Sequence, residues 1–158
     1  MLYERQAAVD DALFLAANMR QADKDECMAS AGLNPTQVLE TAYENSTILR
    51  AVVLGPPKGN HNVVALYGTV PYDTSIGLAS VWMLGTDQLV QGGMTFARRC
   101  TEYIDWMHSY YPALFNFVDA RNTLHLRWLK WAGFNFIQRH ETFGYEKRPF
   151  YEFFRMQW

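Results

Sequence analysis

Residues 116–134 read Asn-Phe-Val-Asp-Ala-Arg-Asn, then an amphipathic stretch from Leu124 to Ala132, then Gly133-Phe134. The pattern predicts a buried strand that ends in a polar turn, a short helix, and a second strand. Asn122 sits where a helix N-cap accepts backbone N–H groups, and Gly133 where the left-handed conformation closes a helix. The chain must therefore reverse twice within about twenty residues, which only a few layered folds permit.

The 158 residues suit one domain, 1–158, large enough to bury a core without disulfides or a structural metal. An apolar share of 49% with 15% aromatics excludes disorder. Fourteen basic against sixteen acidic residues leave a net charge of −2, so there is no broad attraction for nucleic acid or an anionic membrane. Cys27 and Cys100 fall on helical stretches as reduced thiols. Apolar runs are too short to span a bilayer, and Glu4, Arg5, Asp10 and Asp11 stand where a signal sequence needs an apolar centre. The expected location is the cytoplasm.

Leu2 to Ala8 reads as an edge strand, followed by helices from Asp10-Asp11, over Gln21 to Ala31, and from Asn34-Pro35. Thr47 to Leu54 and Val63 to Val70 are β-rich and flank a turn at Pro56 to Asn60. A second turn, from Pro71-Tyr72-Asp73 to Gly77, leads to a strand at Leu78 to Leu84. Beyond Gly92-Gly93, the positions Phe96, Cys100, Tyr103, Ile104 and Met107 recur at helical spacing up to Pro112. A strand over Ala113 to Val118 can then lie parallel to Leu78 to Leu84 through a right-handed crossover. The chain closes with the Asn122 to Ala132 helix, a strand from Phe134, a polar loop over His140 to Pro149, and an aromatic strand to Met156.

This order resembles the GNAT acetyltransferase fold, whose last motif places Gly-Phe eleven and twelve positions after an Asn, as Asn122, Gly133 and Phe134 are placed here. Four segments are also similar to the GNAT-like internal virion protein A family of short-tailed bacteriophages: Met19 to Glu26, Trp82 to Asp87, Asn116 to Phe134 and Arg148 to Phe153. The resemblance implies an α+β domain with a mixed, mostly antiparallel central sheet, a β-α-β core and helices on both faces. It also implies acetyl-CoA as the cofactor of any active member.

A GNAT pyrophosphate cradle reads R/Q-x-x-G-x-G/A and uses bare backbone N–H groups at a helix start. Here the segment is Gln88-Leu89-Val90-Gln91-Gly92-Gly93, with Gln91 in place of the first glycine. If acetyl-CoA binds, the resemblance assigns its contacts to Leu84, Gly85, Gln91, Gly92, Gly93 and Asn122. The usual general acid, a Tyr seven positions after the Asn, is Leu129, which donates no proton. Tyr103 or Tyr145 can substitute as acid only if the fold brings it in, and Glu141, Asp119 and His125 are the candidate bases. His61, His108, His125 and His140 lack metal-ligand spacing, so no metal site is expected.

Trp82, Trp106, Trp128 and Trp131, with Phe153-Phe154, exceed what a two-layer core of this size holds, and exposed rings favour a protein partner. Three roles follow: a catalytically degenerate phage protein of virion core assembly, an acetyl-CoA-dependent N-acetyltransferase, or an inhibitor of a host protein. A side-chain plug of Trp82 or Phe117 between the two parallel strands would favour the first.

Overall fold

Strand pairing and helix placement follow from two apolar sets that point in opposite directions. The computed structural model describes residues 2–55, 63–91 and 93–157; the turn at Pro56 to Asn60, together with His61, Gly92 and Trp158, lies outside them. The elements are β1 (Leu2–Gln6), α1 (Val9–Asn18), α2 (Gln21–Ala31), α3 (Pro35–Asn45), β2 (Ile48–Leu54), β3 (Val63–Asp73) and β4 (Leu78–Gly85). They continue with α4 (Gln88–Gln91), α5 (Gly93–His108), β5 (Ala113–Asp119), α6 (Thr123–Trp131), β6 (Asn135–Phe143) and β7 (Arg148–Met156). Among the described residues the strands form one sheet in the order β1-β2-β3-β4-β5-β7-β6. Only β4 and β5 run parallel; every other neighbouring pair is antiparallel. This is the mixed α+β architecture that the sequence implies.

Side chains alternate across a strand, so β2 feeds both layers. Ile48 and Val52 join the core beneath α5 and α6, with Phe96, Ile104, Leu114 and Phe153. Leu49, Ala51 and Val53 join a second core beneath α1 to α3, with Leu15, Cys27 and Leu39. A sheet covered on both faces reads as near-continuous apolar runs, which is why β2 and β3 are legible as strands but not as amphipathic ones. Local chemistry fixes α3: the Asn34 side chain accepts from Gln37 N–H, the Gln37 side chain accepts from Asn34 N–H, and Pro35 takes the first helical position.

Two stretches differ from the sequence reading. Pro71, Tyr72 and Asp73 extend β3, with a register shift between Pro71 and Asp73, and the reversal falls at 74–77. The polar stretch 140–149 is a tight β6–β7 hairpin, turning at 144–147, where a loop was expected. Its polarity reflects an edge strand whose positions are mostly exposed, since charged side chains protect an open edge. The hairpin tip docks on α2: Tyr145 N–H donates to Ser30 C=O at 3.1 Å and Glu146 N–H to Ala29 C=O at 3.0 Å, satisfying carbonyls of the last turn.

Gly144 makes that docking possible. Its φ is 75°, and a Cβ there would sit 2.6 Å from Ala29 O and 2.8 Å from Ser30 Cα. Gly144→Ala therefore combines a strained backbone with a backbone collision. We expect a loss of about 2 kcal/mol or more, roughly 4–8 °C in Tm. An unchanged melting curve would show that the hairpin does not seat on α2.

Candidate functional site

The β4–β5 ladder is short. Leu78, Ala79 and Ser80 pair with Ala113, Leu114 and Phe115, after which the strands part. Asn116 spans the first step of the gap, its Nδ2 donating to Val81 C=O at 2.8 Å. A cavity of about 360 Å³ opens beyond, lined by Val81, Trp82, Met83, Phe117 and Val118 of the parting strands. Cys27 from α2, Val38 from α3, Phe96 and Tyr103 from α5, and Trp128 and Leu129 from α6 close it on the two sides. Trp82 and Phe117 line the gap and are held by other contacts. Trp82 Nε1 donates to Ser46 Oγ at 3.0 Å, and Phe117 stacks on Phe143 at 4.4 Å.

At the wide end of the gap, α2 reaches both strands. Gly85, the last residue of β4, donates its N–H to Asp23 Oδ2 at 2.8 Å and accepts Arg20 N–H on its carbonyl at 2.9 Å. Asp119, the last residue of β5, donates its N–H to Glu26 Oε1 at 2.7 Å. Arg20 Nη1 donates to Asp23 Oδ1 at 2.8 Å and to Asn122 Oδ1 at 3.2 Å, and Asn122 Nδ2 donates to Asp23 Oδ1 at 3.1 Å. The expected Asn122 cap is thus overturned. No side-chain cap bond forms, and the side chain is spent on Arg20 and Asp23 instead. Two buried partners, Arg20 and Asp23, outcompete the local N–H groups because they would otherwise lose hydrogen bonds in a water-poor interior. Gly133 closes α6 as expected, with φ 87°.

His125, on the inner face of α6, completes the cluster. Its Nε2 is buried, has no hydrogen-bond partner, and lies 3.5 Å from Asp23 Oδ1. Burial holds the imidazole below its ordinary pKa, reinforced by Arg20 and opposed by Asp23. Glu26 is enclosed by the fold yet faces the cavity. Burial pushes its carboxyl up to about 8; the Asp119 N–H bond acts the other way, and repulsion from Asp23 and Asp119 adds to the rise. Burial likewise pushes the Cys27 thiol up to about 12, which leaves it protonated and unreactive at neutral pH. Asp23, Glu26 and His125 each offer one ligand atom, all within 4.8 Å of one another, a grouping that could hold a metal ion. The scattered histidine positions concealed this grouping, because a set assembled from α2 and α6 has no local spacing. The legible signal was Asp23 sharing a helix face with Cys27 and Ser30, a carboxylate on a buried stripe.

The other candidates distribute as follows. Tyr103 lines the cavity, stacks on Tyr67 at 5.2 Å, and has a buried hydroxyl without a hydrogen-bond partner; burial pushes its pKa up to about 12. Glu141 is exposed on β6 and paired with Arg139, and Tyr145 is 71% exposed at the hairpin tip. Leu84 is buried at the cavity wall, Gln91 is exposed at the end of α4, Gly93 begins α5, and Gly92 lies outside the described residues. The Asp119 carboxylate is taken by Arg121, at 2.7 Å from Nη2.

Residues 63–141, half of the chain, match the family model described as "Bacteriophage T7, probable scaffold protein Gp13". No curated protein matches the sequence. Among solved structures, the chain is similar to the GNAT-family acetyltransferase from Streptococcus pneumoniae, at 16% identity over 99% of both chains with a TM-score of 0.66. It is similar to a GNAT-family acetyltransferase from Bacillus anthracis at 10% identity, covering 98% of this chain and 94% of that one, TM-score 0.69. It is also similar to spermidine N-acetyltransferase from Vibrio cholerae in complex with CoA and spermine, at 15% identity, 99% and 95% coverage, TM-score 0.66. Identities this low establish a shared GNAT fold.

The buried carboxyl has a readable consequence. Because the folded pKa of Glu26 lies above its value of 4.5 in the unfolded chain, the native state holds a proton that the unfolded state releases. This contribution to stability is complete below pH 4.5 and is lost as pH rises through about 8. Glu26→Gln keeps an acceptor for Asp119 N–H and removes the dependence. In chelator-treated protein the variant should match wild type near pH 5 and exceed it at pH 9 by on the order of 3 kcal/mol in urea unfolding. The opposite shift of His125 is present in both proteins and drops out of the difference. Parallel pH profiles for the two proteins would refute a raised Glu26 pKa.

Proposed function

We propose that this chain, which belongs to the bacteriophage T7 probable scaffold protein Gp13 family, is a catalytically silent GNAT-like protein that helps assemble the internal core of the virion in the host cytoplasm. The observation that carries the reading is the state of the gap between β4 and β5. An extended ligand arm laid between two parting strands takes its hydrogen bonds from their free main-chain groups. Here Gly85 N–H, Gly85 C=O, Asp119 N–H and Val81 C=O are already engaged by Asp23, Arg20, Glu26 and Asn116. Displacing them would cost each of these side-chain and main-chain groups a hydrogen bond, at about 1–3 kcal/mol for each buried group left open. The residues present do not fit a pantetheine arm, and Leu129 supplies no proton at the cavity wall.

A protein partner fits the surface. Trp106, near the end of α5, and Tyr110, in the turn that follows it, remain 40% and 61% exposed and form a T-shaped pair with centroids 5.5 Å apart. The Arg50 guanidinium lies 5.7 Å from the Trp106 ring centroid, giving the aromatic and cationic make-up that is enriched at binding hot spots. Among the described residues, no helix is long and apolar enough to cross a membrane.

Three measurements test the reading. Isothermal titration of the protein with acetyl-CoA, and separately with CoA, should give no saturable heat; clean one-site micromolar binding would instead favour the N-acetyltransferase alternative. In phage complementation, Trp106→Ser combined with Tyr110→Ser should leave the melting temperature within about 3 °C of wild type while the protein is lost from purified particles. Full incorporation of the double variant would move the docking surface elsewhere, and recovery of host proteins alone in pull-downs from infected cells would favour a host-directed inhibitor.

A further inference from the structure

We propose that Asp23, Glu26 and His125 form a binding site for a divalent cation of the manganese-to-zinc class, with the adjoining cavity supplying its open coordination position. The three ligand atoms lie within 4.8 Å of one another. The His125 Nε2 to Asp23 Oδ1 separation of 3.5 Å is close to the roughly 3.4 Å between two ligands each about 2.0–2.1 Å from a tetrahedral zinc. The i, i+3 placement of Asp23 and Glu26 puts both carboxylates on one face of α2, opposite the inner face of α6.

Two independent features point to a ligand. The first is His125 Nε2, a buried ring nitrogen with no hydrogen-bond partner, where nearly every buried polar atom has one. The second is charge. Asp23 is paired with Arg20 and Asp119 with Arg121, but among the described residues no lysine or arginine pairs with Glu26. A buried carboxylate without a cation is ordinarily compensated by protonation or by a metal. One imidazole and two carboxylates favour manganese-to-zinc ions over soft copper(I), and the imidazole nitrogen sets the group apart from the all-oxygen sets preferred by calcium and magnesium. Each carboxylate also keeps a structural role: Asp23 Oδ2 holds Gly85 and Glu26 Oε1 holds Asp119. Asp23 Oδ1 already accepts from Arg20 and Asn122, so the ion would displace the Arg20 contact there, while Arg20 retains Asn122 Oδ1 at 3.2 Å. The site depends on neither acetyl transfer nor virion assembly.

The test uses the whole chain, stripped with chelator and titrated with zinc chloride, with magnesium and calcium chloride as comparators. One-site zinc binding with a raised melting temperature is expected, and weaker responses to the other two ions. Glu26→Gln preserves the Asp119 acceptor, and His125→Phe preserves the stacking on Trp128, whose ring centroid lies 6.1 Å away. Each variant, once its cooperative melt confirms folding, should bind zinc at least about tenfold more weakly, the minimum that even outer-shell changes produce. An anomalous difference peak in zinc-soaked crystals, within bonding distance of all three side chains, is expected as well. Absence of saturable zinc binding to the folded wild type, unchanged affinity in either folded variant, or a peak elsewhere, including one on Cys27, would overturn it.

Discussion

The carboxylates of α2 hold together a sheet that its own ladder does not. Four antiparallel strands on one side and three on the other meet at β4 and β5, which share only three residue pairs before they part. Past that point the join is made by side chains: Asn116 on Val81, Asp23 on Gly85 and Glu26 on Asp119. Each bond satisfies a main-chain group that a continued ladder would have used, and each would cost about 1–3 kcal/mol if left open in the interior. Arg20 and Asn122 extend the same network to α6, so two helix layers and two half-sheets are tied at one place. The β6–β7 hairpin then closes on the other end of α2, through Ser30 and Ala29.

On the proposed reading, this arrangement lets the fold persist while its chemistry changes. A ligand arm and a set of α2 side chains compete for the same strand-end groups, so an internal replacement for the arm stabilises the domain and removes the place where the arm would lie. Fold likeness at 10% to 16% identity says nothing about which of these occupies the gap. The proposed reading rests instead on the polar atoms at the gap. Leu129 fits the same picture, because an apolar side chain packed against the core at the cavity wall stands where a hydroxyl would need a partner.

Elements whose determinants are local were legible in the sequence. The helix start at Asn34-Pro35, the helical recurrence from Phe96 to Met107 and the left-handed Gly133 depend on neighbours within a few positions, and each stands as read. The cores beneath the two faces of β2 follow from strand alternation. What could not be read were features set by partners far along the chain. The segment 140–149 is polar because β6 has no outer neighbour, and polarity of that origin is indistinguishable from that of a loop until the strand order is known. Asp23, Glu26 and His125 are unremarkable where they stand, and become a cluster only when α2 and α6 close on the same gap.

Asn122 shows why such residues are ambiguous. An asparagine at the first turn of a helix can accept local N–H groups or turn inward, and the bonds of Asn122 to Arg20 and Asp23 record that the inward choice prevailed. Filling the gap with apolar side chains would avoid the desolvation of Arg20, Asp23, Glu26 and His125, and buried ion pairs are often no more stabilising than such a replacement. Apolar groups, however, cannot accept Gly85 N–H or Asp119 N–H. Once two strands diverge inside a protein, their ends require acceptors that reach in from another layer. A helix that presents carboxylates at i and i+3 meets that requirement on both strands at once.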